Sequence, residues 1–335
     1  MFSRRDMLIG AGMAGITALA RPIASAFGSA AQPKTPINFT VPPGACDCHA
    51  CIIGDPRQFP FITSRGYTPE SASITEMRSV HRSIHTQRVV IVQPSFYGTD
   101  NSCTLDAIRQ LGRSARGVAV IADNASNAEL DQMHSGGIRG IVSSGPAGES
   151  DPAAMRQRFK TAVDRVKGRD WHLQFHGKLS EIEAIRDQIT NSPVPIVLFD
   201  HFGGAQPTLG LNQPGFNTLL SLVQSGKVYV DVSAPYRISK QPPDYPDVAP
   251  IAKALIAANP ERIVWGTGWP HPAQIPGRPL TEITPLFQID DGHNLNLLAT
   301  WTSSAAQLKL ILVDNPARLY GFSPSTLSLF FEKPS

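Results

Sequence analysis

From Gly44 onward, apolar runs of five to seven residues alternate with polar stretches in which apolar positions recur every three or four residues. The first pattern suits a strand buried on both faces and the second an amphipathic helix, so the chain predicts repeated β-α units around a parallel sheet. Strands are expected at Ala45–His49, Arg88–Gln93, Gly117–Ala122, Ile138–Val142, His172–His176, Val194–Asp200, Lys227–Asp231 and Arg262–Gly266. Helices are expected at Ile74–Thr86, Leu105–Ser114, Ala128–His134, Pro152–Lys167, Ser180–Asn191, Gly215–Gln224, Ala249–Ala258 and Leu295–Leu312, and Asp151-Pro152 is a typical helix start. Eight such units predict an α/β fold, a single-domain (β/α)8 TIM barrel over residues 45–323. No Gly-x-Gly-x-x-Gly follows a strand, which argues against a dinucleotide-binding sheet.

Barrel enzymes keep their chemistry at the C-terminal ends of the strands. Strand one ends Asp47-Cys48-His49-Ala50-Cys51, and simple alternation places Asp47, His49 and Cys51 on one face with Cys46 and Cys48 on the other. Strand two ends Gln93-Pro94-Ser95, strand five Gln174-Phe175-His176, strand six Asp200-His201, and strand seven Asp231-Val232-Ser233 with Arg237 close behind. Strand eight runs through two glycines into Trp269-Pro270-His271-Pro272. Three histidines, His49, His176 and His201, a cysteine, Cys51, and an arginine, Arg237, therefore converge on one rim, with His271 on the corner after strand eight. Imidazole can move protons or bind a metal near neutral pH, and a guanidinium fork suits a carboxylate or sulfonate. His49, Cys51 and His201 form a candidate zinc set with a fourth position for water. His81, His85, His134 and His172 fall off the rim and are read as structural or exposed.

The chain's ends change the picture. Ser3-Arg4-Arg5-Asp6-Met7-Leu8-Ile9, an uncharged run to Ala20 and Ala24-Ser25-Ala26 read as a twin-arginine export signal over residues 1–26, and hence a periplasmic protein. The apolar run is too short to span a bilayer, so no membrane anchor is expected after cleavage. Residues 27–44 read as a linker and 324–335 as a tail. Losing residues 1–26 removes three arginines and one aspartate, lowering the net charge from +3 to +1. No Lys/Arg-rich run suggests nucleic acid. Cys46, Cys48 and Cys51 are too close in one strand all to pair locally, so at least two are expected to be free.

The motifs Asp47-Cys48-His49, Arg116-Gly117-Val118-Ala119, Gly137-Ile138-Arg139-Gly140, Trp171 to His176, Asp200-His201, Trp265-Gly266-Thr267 with Trp269 to Pro272, and Asp314 to Tyr320 span almost the whole mature chain. In these it resembles the amidohydrolase-superfamily branch of 2-pyrone-4,6-dicarboxylate hydrolase, 4-sulfomuconolactone hydrolase and D-galactarolactone isomerase. The resemblance implies a barrel acting on small anionic lactones, with zinc or without metal. It also implies a His-x-His on strand one, a His on strand six and a water-activating Asp on strand eight. Here these are His49, Cys51 in place of the second His, His201, and Gly268 where the Asp belongs. Substrate contacts carry over to Tyr67, Ser95, His176 and Arg237, while two expected arginines are Val142 and Gly148. The expectation is a lactone hydrolase using His271, His201 or Cys51 as base. The alternatives are a lactone isomerase and a binding remnant that keeps the cup and Arg237 without the chemistry.

Overall fold

The computed structural model describes residues 30–143, 151–192, 197–272 and 274–323. The export signal, the start of the linker, Gly148 and the tail lie outside them. Eight parallel strands run in chain order around a barrel: β1 Cys46–Ala50, β2 Arg88–Val92, β3 Ala115–Ala119, β4 Ile138–Val142, β5 His172–Phe175, β6 Val197–Phe199, β7 Val228–Asp231 and β8 Ile263–Val264. Backbone bonds from Cys48 N–H to Trp265 O and from Gly268 N–H to His49 O, 2.9 and 2.8 Å, join the last strand to the first. Outside lie α1 Ile74–Ser83, α2 Ser102–Leu111, α3 Asn127–Ser135, α4 Pro152–Val166, α5 Leu179–Thr190, α6 Phe216–Gln224, α7 Ala249–Ala258 and α8 Asp291–Trp301. Among the described residues no helix is long and apolar enough to cross a membrane.

Each strand is buried on both faces. Val89, Ile91, Leu173, Val197 and Val230 pack outward under the helices, while Cys46, Cys48, Val90, Val118, Leu198 and Tyr229 fill the interior, stopped at the bottom by Leu319, Tyr320 and Phe322. All four cysteines are free and buried.

Three expectations change. The last helix, drawn as Leu295–Leu312, starts at Asp291 because Asp290 caps it, accepting from the backbone N–H groups of Gly292 and His293. It stops at Trp301, and Ser304 caps a new start, α9 Ala305–Lys309, followed by a π-turn over Leu310–Asp314 and α10 Asn315–Tyr320. Residues 30–44, read as part of a linker, are a bound strap: Thr35 is held by the Asp290 carboxylate, Asn38 by Asn296, and Ala31 O accepts from the Trp269 indole. The alternation drawn for strand one breaks in the middle. Asp47 pairs with Val89 but Ala50 with Ile91, so β1 carries one extra residue, a bulge, at Cys48-His49.

The bulge separates Asp47 from His49. Asp47 is fully buried and faces α1 and the strand-eight loop. Its Oδ2 accepts from Thr267 Oγ1 at 2.7 Å and meets His81 Nε2 at 3.0 Å, while Oδ1 accepts from the backbone N–H groups of Thr267 at 2.9 Å and His49 at 3.1 Å. Burial works against its charge, but the bonds from His81 and Thr267 outweigh it and hold the carboxyl below its ordinary value of 3.8. Replacing Asp47 with Ala strands these donors and should cost roughly 3–5 kcal/mol in urea unfolding, the usual penalty for breaking a buried pair. Because the folded-state pKa is depressed, this contribution is complete above about pH 4 and lost as pH falls below it. The difference between wild type and variant should therefore shrink in acid.

Candidate active site

The bulge turns the His49 imidazole into the barrel mouth, where its Nδ1 lies 2.9 Å from Asp231 Oδ2 at the end of β7 and 3.7 Å from Asp200 Oδ1 after β6. Room for that turn comes from Gly266: a Cβ there would stand 2.5 Å from the His49 nitrogen. His201 follows Asp200 on a backbone that is left-handed for four residues, φ +46° at His201, +60° at Phe202, +65° at Gly203 and +70° at Gly204. Such a conformation is strained for the first two and is typical of a residue aimed for function. The His49 and His201 rings lie 4.8 Å apart, and His176 lies edge-on to His201 at 5.2 Å.

Hydrogen bonds fix the tautomers. Ser233 donates its hydroxyl proton to Asp231 Oδ2, so the same hydroxyl accepts from His201 Nδ1 at 2.9 Å. His49 Nδ1 likewise donates to Asp231. Both imidazoles thus keep Nε2 for whatever enters the cup. Gln174 Nε2 donates to Asp200 Oδ1 at 2.8 Å, tying the cluster to the barrel interior.

Electrostatics push these groups apart. Burial raises the Asp200 carboxyl to about 7, despite the opposing pull of His49. Burial also opposes protonation of His49, but Asp200 and Asp231 more than compensate and raise its pKa. His201 is held neutral, well below the usual imidazole range, by burial and then by the Arg237 charge. His176 is lowered to about 4 by desolvation of its ring and then by Arg237, although the residue as a whole is exposed. The single guanidinium of Arg237 acts on all three histidines and on the Tyr67 hydroxyl, whose pKa burial raises. The cup itself encloses about 530 Å³ and is lined by His176, Lys178, Asp200, His201, Tyr236 and Arg237, among others.

The structure brings together His49, His176, His201, Arg237 and Tyr67. Ser95 is exposed at the head of the turn Ser95–Tyr97 and does not line this cavity. Cys51 is buried and its thiol is pushed up to about 12 by burial, so it stays protonated at neutral pH and is a poor base or metal ligand. The ligand set that the geometry assembles is His49, His201 and Asp231, with donor atoms within 4.8 Å of one another. Asp231 Oδ1 is buried there without a partner, a vacant lone pair suited to a cation. His271 is buried away from this cluster, paired with Asp291. Gly268 sits at φ +77° with a Cβ position 3.1 Å from the Tyr236 hydroxyl, so an aspartate there would be both strained and crowded. Asp200, Asp231, Ser233 and Gln174 were visible at strand ends, but only the fold shows two carboxylates flanking one imidazole.

A sequence model of the amidohydrolase family matches residues 46–322. The chain belongs to the amidohydrolase family. This amidohydrolase is similar to a 4-sulfomuconolactone hydrolase of Hydrogenophaga intermedia, 32% identical over 85% of this chain and 91% of the relative. It is also similar to a 2-pyrone-4,6-dicarboxylate hydrolase of Comamonas testosteroni, 31% identical over 87% and 94%. A solved structure from Agrobacterium tumefaciens, 23% identical, superposes with a TM-score of 0.73 over 87% of this chain and 99% of that one, which shows the shared barrel.

The charge assignment is checked by nitrogen-15 NMR of the imidazoles. At pH 5.5 the amidohydrolase should show His49 protonated and His176 neutral, the reverse of what exposure alone would give. Protonation of both His49 and His176 at that pH would refute the electrostatic account.

Proposed function

We propose that the protein hydrolyses a small lactone bearing a carboxylate or sulfonate. The observation that carries this reading is Asp200, a buried carboxyl raised to about 7 and 3.7 Å from an imidazole that is itself primed to hold a proton. A base titrating near neutrality is suited to taking a proton from water, and Asp200 would do what the absent carboxylate at position 268 does in the resembled branch. The hydrolase names of the relatives support the same reaction.

In this scheme Arg237 and Tyr67 hold the acidic group of the substrate through charge-assisted hydrogen bonds. Neutral His201 orients the attacking water with its free Nε2, and Asp200 takes the water's proton. Protonated His49 donates from Nε2 to the lactone carbonyl oxygen and stabilises the negative charge that develops there. Asp231 keeps that imidazole in place through Nδ1. The residues also fit a divalent cation: His49, His201 and Asp231 would hold it, and zinc would polarise the carbonyl and acidify a bound water. We further propose export to the periplasm on the twin-arginine signature of residues 3–9.

Two measurements test the scheme on a panel of anionic lactones. In chelator-treated protein, kcat/KM should rise with pH through about 7, because Asp200 must lose its proton to act. Asp200→Asn should lower kcat by about 10²–10⁴-fold and erase that inflection. An unchanged inflection in the variant would move the base elsewhere. In metal analysis, Asp231→Ala should abolish zinc uptake while Cys51→Ser retains it. The opposite result would restore the cysteine to the ligand set.

A further inference from the structure

A second line of buried polar groups reaches the cup without touching the His49 cluster. Asp291, in the first turn of α8, is fully buried, and its Oδ2 lies 3.1 Å from Nε2 of the equally buried His271. Nδ1 of His271 lies 3.3 Å from the hydroxyl of Tyr236, and Tyr236 lines the same cavity as Asp200, His201 and Arg237. His271 is held in a left-handed conformation, φ +64°, a strain that a merely space-filling residue has no need of. The Tyr236 hydroxyl also occupies the space that a side chain at Gly268 would take, 3.1 Å from the Cβ position and flanked by Ala234. An acidic hydrogen-bonding group therefore faces the cup beside strand eight, although the residue on that strand has no side chain.

We propose that Tyr236 is the general acid that protonates the departing ring oxygen, with His271 and Asp291 positioning its hydroxyl. This rests on the lactone-hydrolysis reading. As the tetrahedral intermediate collapses, the bond between carbonyl carbon and ring oxygen breaks and its electron pair goes to the ring oxygen. That oxygen takes the Tyr236 proton. The tyrosinate, which faces the cup, is reprotonated from water there, while the buried His271–Asp291 pair holds the phenol in place. The proton that Asp200 removed from water returns to solvent and balances the one that Tyr236 takes up.

The acidities are in the right order. Burial raises the Tyr236 phenol to about 12, still more acidic than bulk water, whose conjugate base an alkoxide approaches in basicity. A ring oxygen leaving as an alkoxide therefore gains from the transfer. An aryl oxide, already a good leaving group, gains little. The device points to saturated lactones, whose ring oxygen departs as an alkoxide, as the substrate class.

The test compares two substrates carrying the same acidic group, a saturated lactone and an aryl ester, in wild type and Tyr236→Phe. Tyr236→Phe should lower kcat on the lactone by about 10²–10⁴-fold, as loss of a general acid does, with KM little changed. On the aryl ester the loss should stay under about tenfold. His271→Gln should show the same selectivity to a smaller degree; if that variant fails to fold, Tyr236→Phe alone decides. Equal losses on both substrates, a change in KM alone, or an unaffected Tyr236→Phe in the presence of active wild type overturns this inference and leaves the hydrolytic reading standing. Wild type that turns over neither substrate sinks both.

Discussion

The buried carboxylate of Asp47 is the joint on which the molecule turns. One side chain ties the first strand, the first helix and the loop after the last strand together through four hydrogen bonds. Closing a barrel requires the chain's two ends to meet, and nothing local in either segment brings them together. The bonds to Thr267 supply that meeting and leave the Gly268 backbone in place to bond His49 O. The same carboxylate accepts from the His49 backbone, so the geometry of the candidate site and the closure of the fold share one anchor.

Around that anchor the site works by separation of charge states. Two carboxylates flank the His49 imidazole, one guanidinium acts on all three imidazoles, and position alone makes one imidazole basic and two inert. Paired titratable groups pushed in opposite directions are a mark of acid-base sites. This arrangement is not free of strain on the fold. A carboxyl whose pKa is raised on folding favours the folded state at low pH, and that contribution disappears as pH rises through its folded value, about 7 for Asp200. Asp200 thus opposes stability in the range where its chemistry is useful, and the Gln174 bond only partly offsets it.

Most of the fold was legible because parallel strands and amphipathic helices carry different periods: each of the eight strands overlaps its expected span, the third starting two residues early at Ala115 and ending at Ala119. The end of the chain was less so: a capping serine at 304 and a π-turn divide what reads as one apolar helix. The site was half legible. His49, His201 and Arg237 announce themselves by residue type at strand ends. Asp231 and Asp200 stand in the same places but read as ordinary aspartates, since nothing in a sequence reveals that two carboxylates face one ring. Cys51 misled for the opposite reason: spacing suggested a ligand, while burial keeps the thiol protonated.

The bulge at Cys48-His49 carries a lesson for anyone who would move this centre into another protein. The five letters of the strand do not encode the direction of the imidazole; a doubled position against the neighbouring strand does. Copied into a regular barrel with the same cysteines inside, the peptide would send its histidine out among the helices on the same face as its aspartate. A transplant would have to bring the irregularity along, together with the bare glycine on the opposite strand that makes space for it.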